Sequence, residues 1–249
     1  MRVQAERSLV SGAILILAVC LPLSRSAAQA TNPAGDGKST DLAPFLELAK
    51  YYVPPPAPTK DPKTGFVVGG KNDTALIEGL TEINGRTIDD LENDMRPGAS
   101  SEVGSTAGFL GPDEKLLAVL AADNRFVVDE RGLTHQELAK HLHAIGTIGR
   151  WQWYQGKEET EFVYHGRRFR VKTNVAKGSQ LSPFMDDTVS GTDVTVENLD
   201  TGKKMRYGLL VPYMIERYGF YEGKGTRYRL DPSKALELFD FMEAKTPKQ

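Results

Sequence analysis

Apolar and polar residues alternate along this chain with two different periods, and the change from one to the other falls near residue 150. Before that point apolar positions recur every three or four residues, as they do on one face of a helix. Residues 75–83 follow the capping sequence Asn72-Asp73-Thr74, and a second helix over 88–95 follows Thr87 and stops before Pro97-Gly98. Pro112 predicts the start of a third helix reaching Ala122, with Asp113 and Glu114 in its first turn and Leu116, Leu117 and Leu120 on one face. Phe126, Val127 and Val128 read as a strand or an extended link. Thr134 caps a fourth helix over 135–145, and Gly146 is expected to end it. From Trp151 the period becomes two. Phe162-Val163-Tyr164 and the pair Phe169, Val171 flank the turn residues His165-Gly166. Val194-Thr195-Val196 and Met205-Arg206-Tyr207 flank residues 198–202, so two hairpins are expected. Helices over 212–218 and 232–242, the second capped by Asp231, close the chain. Helical and strand runs segregate, and the expected fold class is α+β: a mainly helical N-terminal half followed by a hairpin-rich antiparallel sheet with C-terminal helices.

The first thirty residues have a separate logic. Arg2 and Arg7 precede an apolar run over 9–23, and small residues then lead to Ala28-Gln29-Ala30. Charge, apolar run and small-residue site in that order predict a cleavable signal peptide, cut after Ala30. The run contains Ser11, Gly12 and Pro22 and is shorter than the roughly 20 apolar residues of a membrane-spanning helix. Cys20 follows the bulky Val19 inside that run, unlike an acylated cysteine. It is also the one cysteine of the chain, so the mature protein is expected to lack disulfides, thiolate ligands and a cysteine nucleophile. The organisation read from this is a signal peptide at 1–30, a Pro-rich tether at 31–63 with one short helix over 42–53, a mainly helical region at 64–150 and an α+β region at 151–249. No mature segment is apolar for long enough to cross a membrane. The full chain carries a net charge of −2, and losing Arg2, Arg7 and Arg25 against Glu6 leaves it more acidic. That balance disfavours nucleic acid as a partner.

Most motif fragments reduce to structural roles. Residues 65–72 have the length of a phosphate-binding loop, but Asn72 stands where a hydroxyl must reach magnesium. His135, His141 and His143 share one predicted helix, yet His135 and His143 are separated by about 12 Å of rise and His141 points elsewhere, so no metal is expected. Glu137 and His141 have the i, i+4 spacing of an ion pair. Residues 133–142 resemble the first helix of a helix-turn-helix DNA reader, but the glycines and the sheet-like residues 151–154 leave no recognition helix. Residues 104–108 hold threonine where a serine nucleophile should stand. Asp200-Thr201-Gly202 reads as a turn between strands. Glu158, Glu159 and Glu161 are acids for a glycosidase at most by composition, and Asp186, Asp187 and Asp193 lack EF-hand spacing. Trp151, Trp153 and Tyr154 read as a strand whose alternate residues share a face, either core or a sugar-stacking platform.

The remaining candidate is a basic face. Arg168, Arg170 and Lys172 alternate with Phe169 and Val171, and Lys204 and Arg206 alternate with Met205 and Tyr207. If both hairpins share one sheet with their apolar sides inward, these five cations lie on one outer face and could hold an anionic envelope polymer or a protein partner. The function expected is that of an exported, non-enzymatic binding or accessory protein of the cell envelope, without cofactor. The opposing class is a secreted hydrolase using acidic residues, possibly on glycans. Cleavage after Ala30 makes a direct prediction: terminal sequencing of the exported protein returns Thr31, and recovery of Met1 contradicts it.

Overall fold

The computed structural model describes residues 57–99 and 106–242, all within one compact unit. The expected signal peptide, the helix over 42–53 and residues 104–105 lie outside the described residues. The first elements are small. β1 (Thr59–Lys60) pairs antiparallel with β2 (Val67–Val68), and Asp61 closes their turn by accepting from the backbone N–H of Lys63 and Thr64, both at 2.8 Å. α1 (Thr74–Glu78) is shorter than the expected helix over 75–83, whose last residues instead form β3 (Glu82–Ile83), which pairs with β4 (Arg86–Thr87) in a hairpin around Gly85. Asn84 and Gly85 both take left-handed φ, 53° and 75°. That is the two-residue turn whose twist matches its strands, and Asn-Gly is the sequence that favours it. α2 (Ile88–Met95) begins where expected, with Thr87 Oγ1 accepting from Asp90 N at 3.2 Å.

α3 (Leu116–Asn124) starts four residues later than Pro112 predicts. Glu114 explains the delay, because its carboxylate accepts from Gly111 N at 2.7 Å and closes a separate turn over residues 111–114. Phe126, Val127 and Val128 are not extended. Asn124 and Arg125 keep right-handed helical dihedrals, no breaker interrupts 116–130, and the chain passes into a π-helical turn, Arg125–Glu130, that buries Val127.

α4 departs furthest from expectation. It runs His135–Tyr154, straight through Gly146 and Gly149, from a capping box in which Thr134 and Glu137 satisfy each other's backbone N–H groups. A Cβ on Gly146 would stand 2.5 Å from Leu209 Cδ2, and one on Gly149 would stand 2.9 Å from Val171 Cγ2. Glycine here permits a close approach, and packing outweighs its cost in the helix of about 1 kcal/mol relative to alanine. Residues 151–154 are therefore the last turn of a helix, not the start of the sheet. Because α4 is continuous, the turn of a helix-turn-helix is absent from it.

β5 (Glu159–Tyr164), β6 (Arg167–Leu181), β7 (Val189–Asn198) and β8 (Lys204–Gly208) form one antiparallel sheet in that order. Both expected hairpins are present, and β6 pairing with β7 joins them. Phe162, Phe169, Val171, Val194, Val196 and Tyr207 fill the inner face. α4 lies over it with Leu138, Leu142 and Ile145 buried, and Tyr207 Oη donates to Leu142 O at 2.8 Å. α5 (Val211–Tyr218) packs on α4, and α6 (Pro232–Leu238) is shorter than the predicted 232–242. The fold is thus mixed α+β, with six α-helices among the described residues and a four-stranded antiparallel sheet.

Candidate functional site

Carrying α4 past Gly149 puts His143, Thr147, Arg150, Trp151 and Tyr154 along one helical flank, since residues three and four apart are neighbours. With Val189 and Ser190 of β7 and Leu209 and Tyr213 beyond the sheet they line a groove of about 400 Å³. Trp151 is 41% exposed, Tyr154 60% and Tyr213 36%. These large aromatic side chains share one concavity rather than standing singly on the surface. The polar members are already oriented. Arg150 donates to Tyr154 Oη at 3.2 Å and sits over its ring, while His143 Nε2 meets Glu216 Oε2 at 3.0 Å and packs edge-on to Tyr213.

A second cleft of about 340 Å³ adjoins the first, and Ser190 and Leu209 line both. Its wall holds Asp193, Tyr228 and Glu222, the last only 3% exposed. Glu222 takes a left-handed φ of 65°, a conformation that costs a non-glycine residue about 1–3 kcal/mol and persists where surroundings enforce it. Gly223 is part of that enforcement. Its N–H donates to Phe109 O at 2.8 Å, and a Cβ there would collide with Glu114 Oε2 and the Leu110 backbone. Burial pushes the Glu222 carboxyl up to about 8, and the nearby Asp193 charge adds to the rise, against a hydrogen bond from Thr226 and the charge of Arg229.

Two tethers fix this loop. Arg229 places Nη1 and Nη2 on the two oxygens of Asp123, each at 2.6 Å, and Nη1 also reaches Glu222 O at 2.6 Å. One residue on, Asn124 Oδ1 accepts from His135 Nε2 at 3.1 Å, and His135 Nδ1 accepts from Tyr221 Oη at 2.9 Å. An amide oxygen can only accept, so His135 carries its proton on Nε2. Burial lowers its pKa to about 4 and keeps the ring neutral. Consecutive residues of α3 thus hold consecutive residues of the loop.

The five cations of the basic face do share one side of the sheet. In register, Glu161 faces Arg170, Glu197 and then Lys204, while Glu159 faces Lys172, Thr195 and then Arg206. Each row interleaves acids with the bases. Arg168 pairs with Asp200 at 2.8 Å, Arg170 with Glu161 at 2.6 Å and Glu197 at 3.3 Å, Lys204 with Glu197 at 4.0 Å and Arg206 with Asp193 at 2.8 Å. Exposed pairs of this kind contribute about 0–1 kcal/mol each. The other candidates separate. His141 Nδ1 meets Tyr164 Oη at 2.8 Å, so the three histidines have partners on three different elements. Asp186 binds Arg217 and Tyr218 whereas Asp193 binds Arg206 and Tyr228. Asn72 bonds both backbone groups of Val67, making 65–72 a structural turn. Trp153 lies apart from the groove that Trp151 and Tyr154 line.

Glu222, Arg229 and Asp123 carry no motif. Their one trace in the sequence is Asp123 and Asn124 at the end of an apolar helix, where buried polar residues need partners.

The raised Glu222 carboxyl sets a pH signature. The folded state holds its proton up to about 8, whereas the unfolded chain releases it near 4.5, so the stability it contributes is complete below 4.5 and is lost as pH rises through 8. Glu222→Gln should therefore melt like the parent in acid and above it at alkaline pH, by a gap on the order of a few kcal/mol. Thermal melts of the two proteins across that range check this. A gap independent of pH contradicts a buried neutral carboxyl. In comparisons with known proteins, no family model, no curated protein and no solved structure matches the chain.

Proposed function

We propose that this is an exported binding or accessory protein of the cell envelope whose aromatic groove holds sugar rings of an envelope glycan. One observation carries the reading: Trp151, Tyr154 and Tyr213 are all partly exposed and line the same concavity. Aromatic faces bury the apolar C–H face of a sugar, and the rigid rings lose little conformational freedom in doing so. Arg150 and Thr147, in the same lining, offer donors for hydroxyl groups at the ring edge. In this reading the mainly helical N-terminal half braces the sheet, and the signal peptide expected at 1–30 brings the protein to its ligand. Among the described residues no helix is long and apolar enough to cross a membrane. The basic face serves as a charge-balanced outer surface, because its arginines already have carboxylate partners.

The hydrolase reading is favoured by one specific observation, that Asp193 and Glu222 line one cleft. Two carboxyl groups in different environments are what acid–base cleavage of a glycosidic bond requires. Release of new reducing ends from a soluble glycan, abolished in Glu222→Gln, would support it over binding alone.

The binding reading is tested by titrating the protein with soluble oligosaccharides of N-acetylglucosamine and following affinity by calorimetry. Trp151→Ala and Tyr213→Ala should each weaken binding at least tenfold, about 1.4 kcal/mol, and Trp153→Ala should leave it unchanged. Equal binding by Trp151→Ala and the parent contradicts the proposal.

A further inference from the structure

The aromatic groove does not end at its polar rim, because Ser190 and Leu209 form a wall common to it and to the Glu222 cleft. We propose that the Glu222 cleft is a second subsite for the same glycan, in which the carboxyl groups of Glu222 and Asp193 bind the hydroxyls of an uncharged sugar unit. The proposal rests on the glycan reading of the aromatic groove and extends it along the strand.

Three features of the cleft point to a ligand of this chemistry. The first is a carboxyl oxygen with nothing to bind. Glu222 Oε2 accepts from Thr226 Oγ1 at 2.8 Å, whereas Oε1 has no partner among the described residues. Because no buried side-chain oxygen of the described residues is left unsatisfied, Oε1 keeps some contact with solvent although the residue is 97% covered, and Glu222 is part of the cleft lining. Asp193 shows the same one-sided use: Arg206 Nη2 at 2.8 Å and Tyr228 Oη at 3.1 Å both bind Oδ2, and Oδ1 keeps its acceptor capacity.

The second feature is shape. Gly178, Ser179 and Gly191 are part of the cleft lining, and the backbone of Gly191 lies so close to Gly178 O that any Cβ at 191 would collide with it. These residues bring no bulky side chain to their part of the lining, to which Tyr228 adds an aromatic ring. The third is rigidity. Arg229, Gly223 and the strained backbone of Glu222 hold the carboxyl in place before any ligand arrives, which lowers the ordering cost of binding.

The charges around Glu222 include both signs, with Asp193 and the exposed Arg227 both in the cleft lining. Asp193 faces it from β7, with Arg206 of β8 already committed to Asp193. Arg229 is held by Asp123 of α3, Glu114 caps the backbone of Lys224, and Arg227 packs on Tyr228. An anion entering the cleft would meet the Asp193 carboxylate as well as Arg227, and a cation would meet Arg227 as well as Asp193, so neither charge is favoured outright. A protonated Glu222 offers a hydrogen-bond donor to a hydroxyl or acetamido oxygen, and Asp193 accepts from a hydroxyl, a combination suited to a neutral polyol.

The test measures the full chain against a disaccharide and a hexasaccharide of N-acetylglucosamine by calorimetry. The hexasaccharide should bind at least tenfold more tightly, and Glu222→Ala should lower its affinity to that of the disaccharide. Glu222→Gln, which keeps the shape and a donor, should restore the difference. Raising the pH through 8 should weaken hexasaccharide binding by the parent and not by Glu222→Gln. Equal affinities for the two lengths, or an undiminished hexasaccharide affinity in Glu222→Ala, overturn the second subsite while leaving the aromatic groove in place. Failure of Trp151→Ala to weaken the disaccharide overturns the groove, and the second subsite with it.

Discussion

The guanidinium of Arg229 gripping the carboxylate of Asp123 is the contact on which the Glu222 cleft depends. It joins residues 106 positions apart, with two hydrogen bonds of 2.6 Å and side chains 12% and 6% exposed. Desolvation offsets much of the attraction in such a buried pair, so its net contribution to stability is small, yet removing one partner costs about 3–5 kcal/mol. What the pair provides is position. The same guanidinium holds the carbonyl of Glu222, and the neighbouring Asn124–His135–Tyr221 chain holds the residue before it. Released from both, Glu222 would relax from its left-handed backbone, and its carboxyl would lose the burial that keeps its proton in place.

The second constraint is the closeness of α4 to the sheet. Gly146 and Gly149 let the helix settle against Leu209 and Val171, and because it is not forced away it continues to Tyr154. The last turns of that helix carry Arg150, Trp151 and Tyr154 beyond the sheet edge, where α5 supplies Tyr213 and the start of β7 supplies Val189 and Ser190. One wall shared with the Glu222 cleft then follows from the path of the chain: Ser190 is the second residue of β7 and Asp193 lies three residues further along the same strand.

Local chemistry made much of the fold legible in the sequence. Thr87, Thr134 and Asp231 cap helices because a short side-chain oxygen next to a helical pattern has few other uses. Both hairpins follow from period-two alternation around turn residues. Misreadings occur where long-range packing overrides a local rule. Gly146 looks like a stop until Leu209 is beside it, and Val127 looks like a strand until the core takes it up. The Asn84-Gly85 turn was readable and lay between two short runs that gave no strand signal. The basic face illustrates the limit well: alternation puts Arg168, Arg170 and Lys172 on one side, but the acids beside Arg170 and Lys172 come from register with β5 and β7, and the partner of Arg168 comes from the turn after β7. Glu222 was illegible because its burial, strain and partners are all tertiary.

Whether the two clefts form one ligand site is decided most directly by a crystal structure of the protein with a hexasaccharide of N-acetylglucosamine bound. One sugar ring should lie against Trp151 and Tyr213, with the strand passing Ser190 and a hydroxyl or acetamido oxygen within hydrogen-bond distance of Glu222 Oε1. A saccharide seated instead on the outer face of the sheet, among Arg168, Arg170 and Lys204, would contradict it.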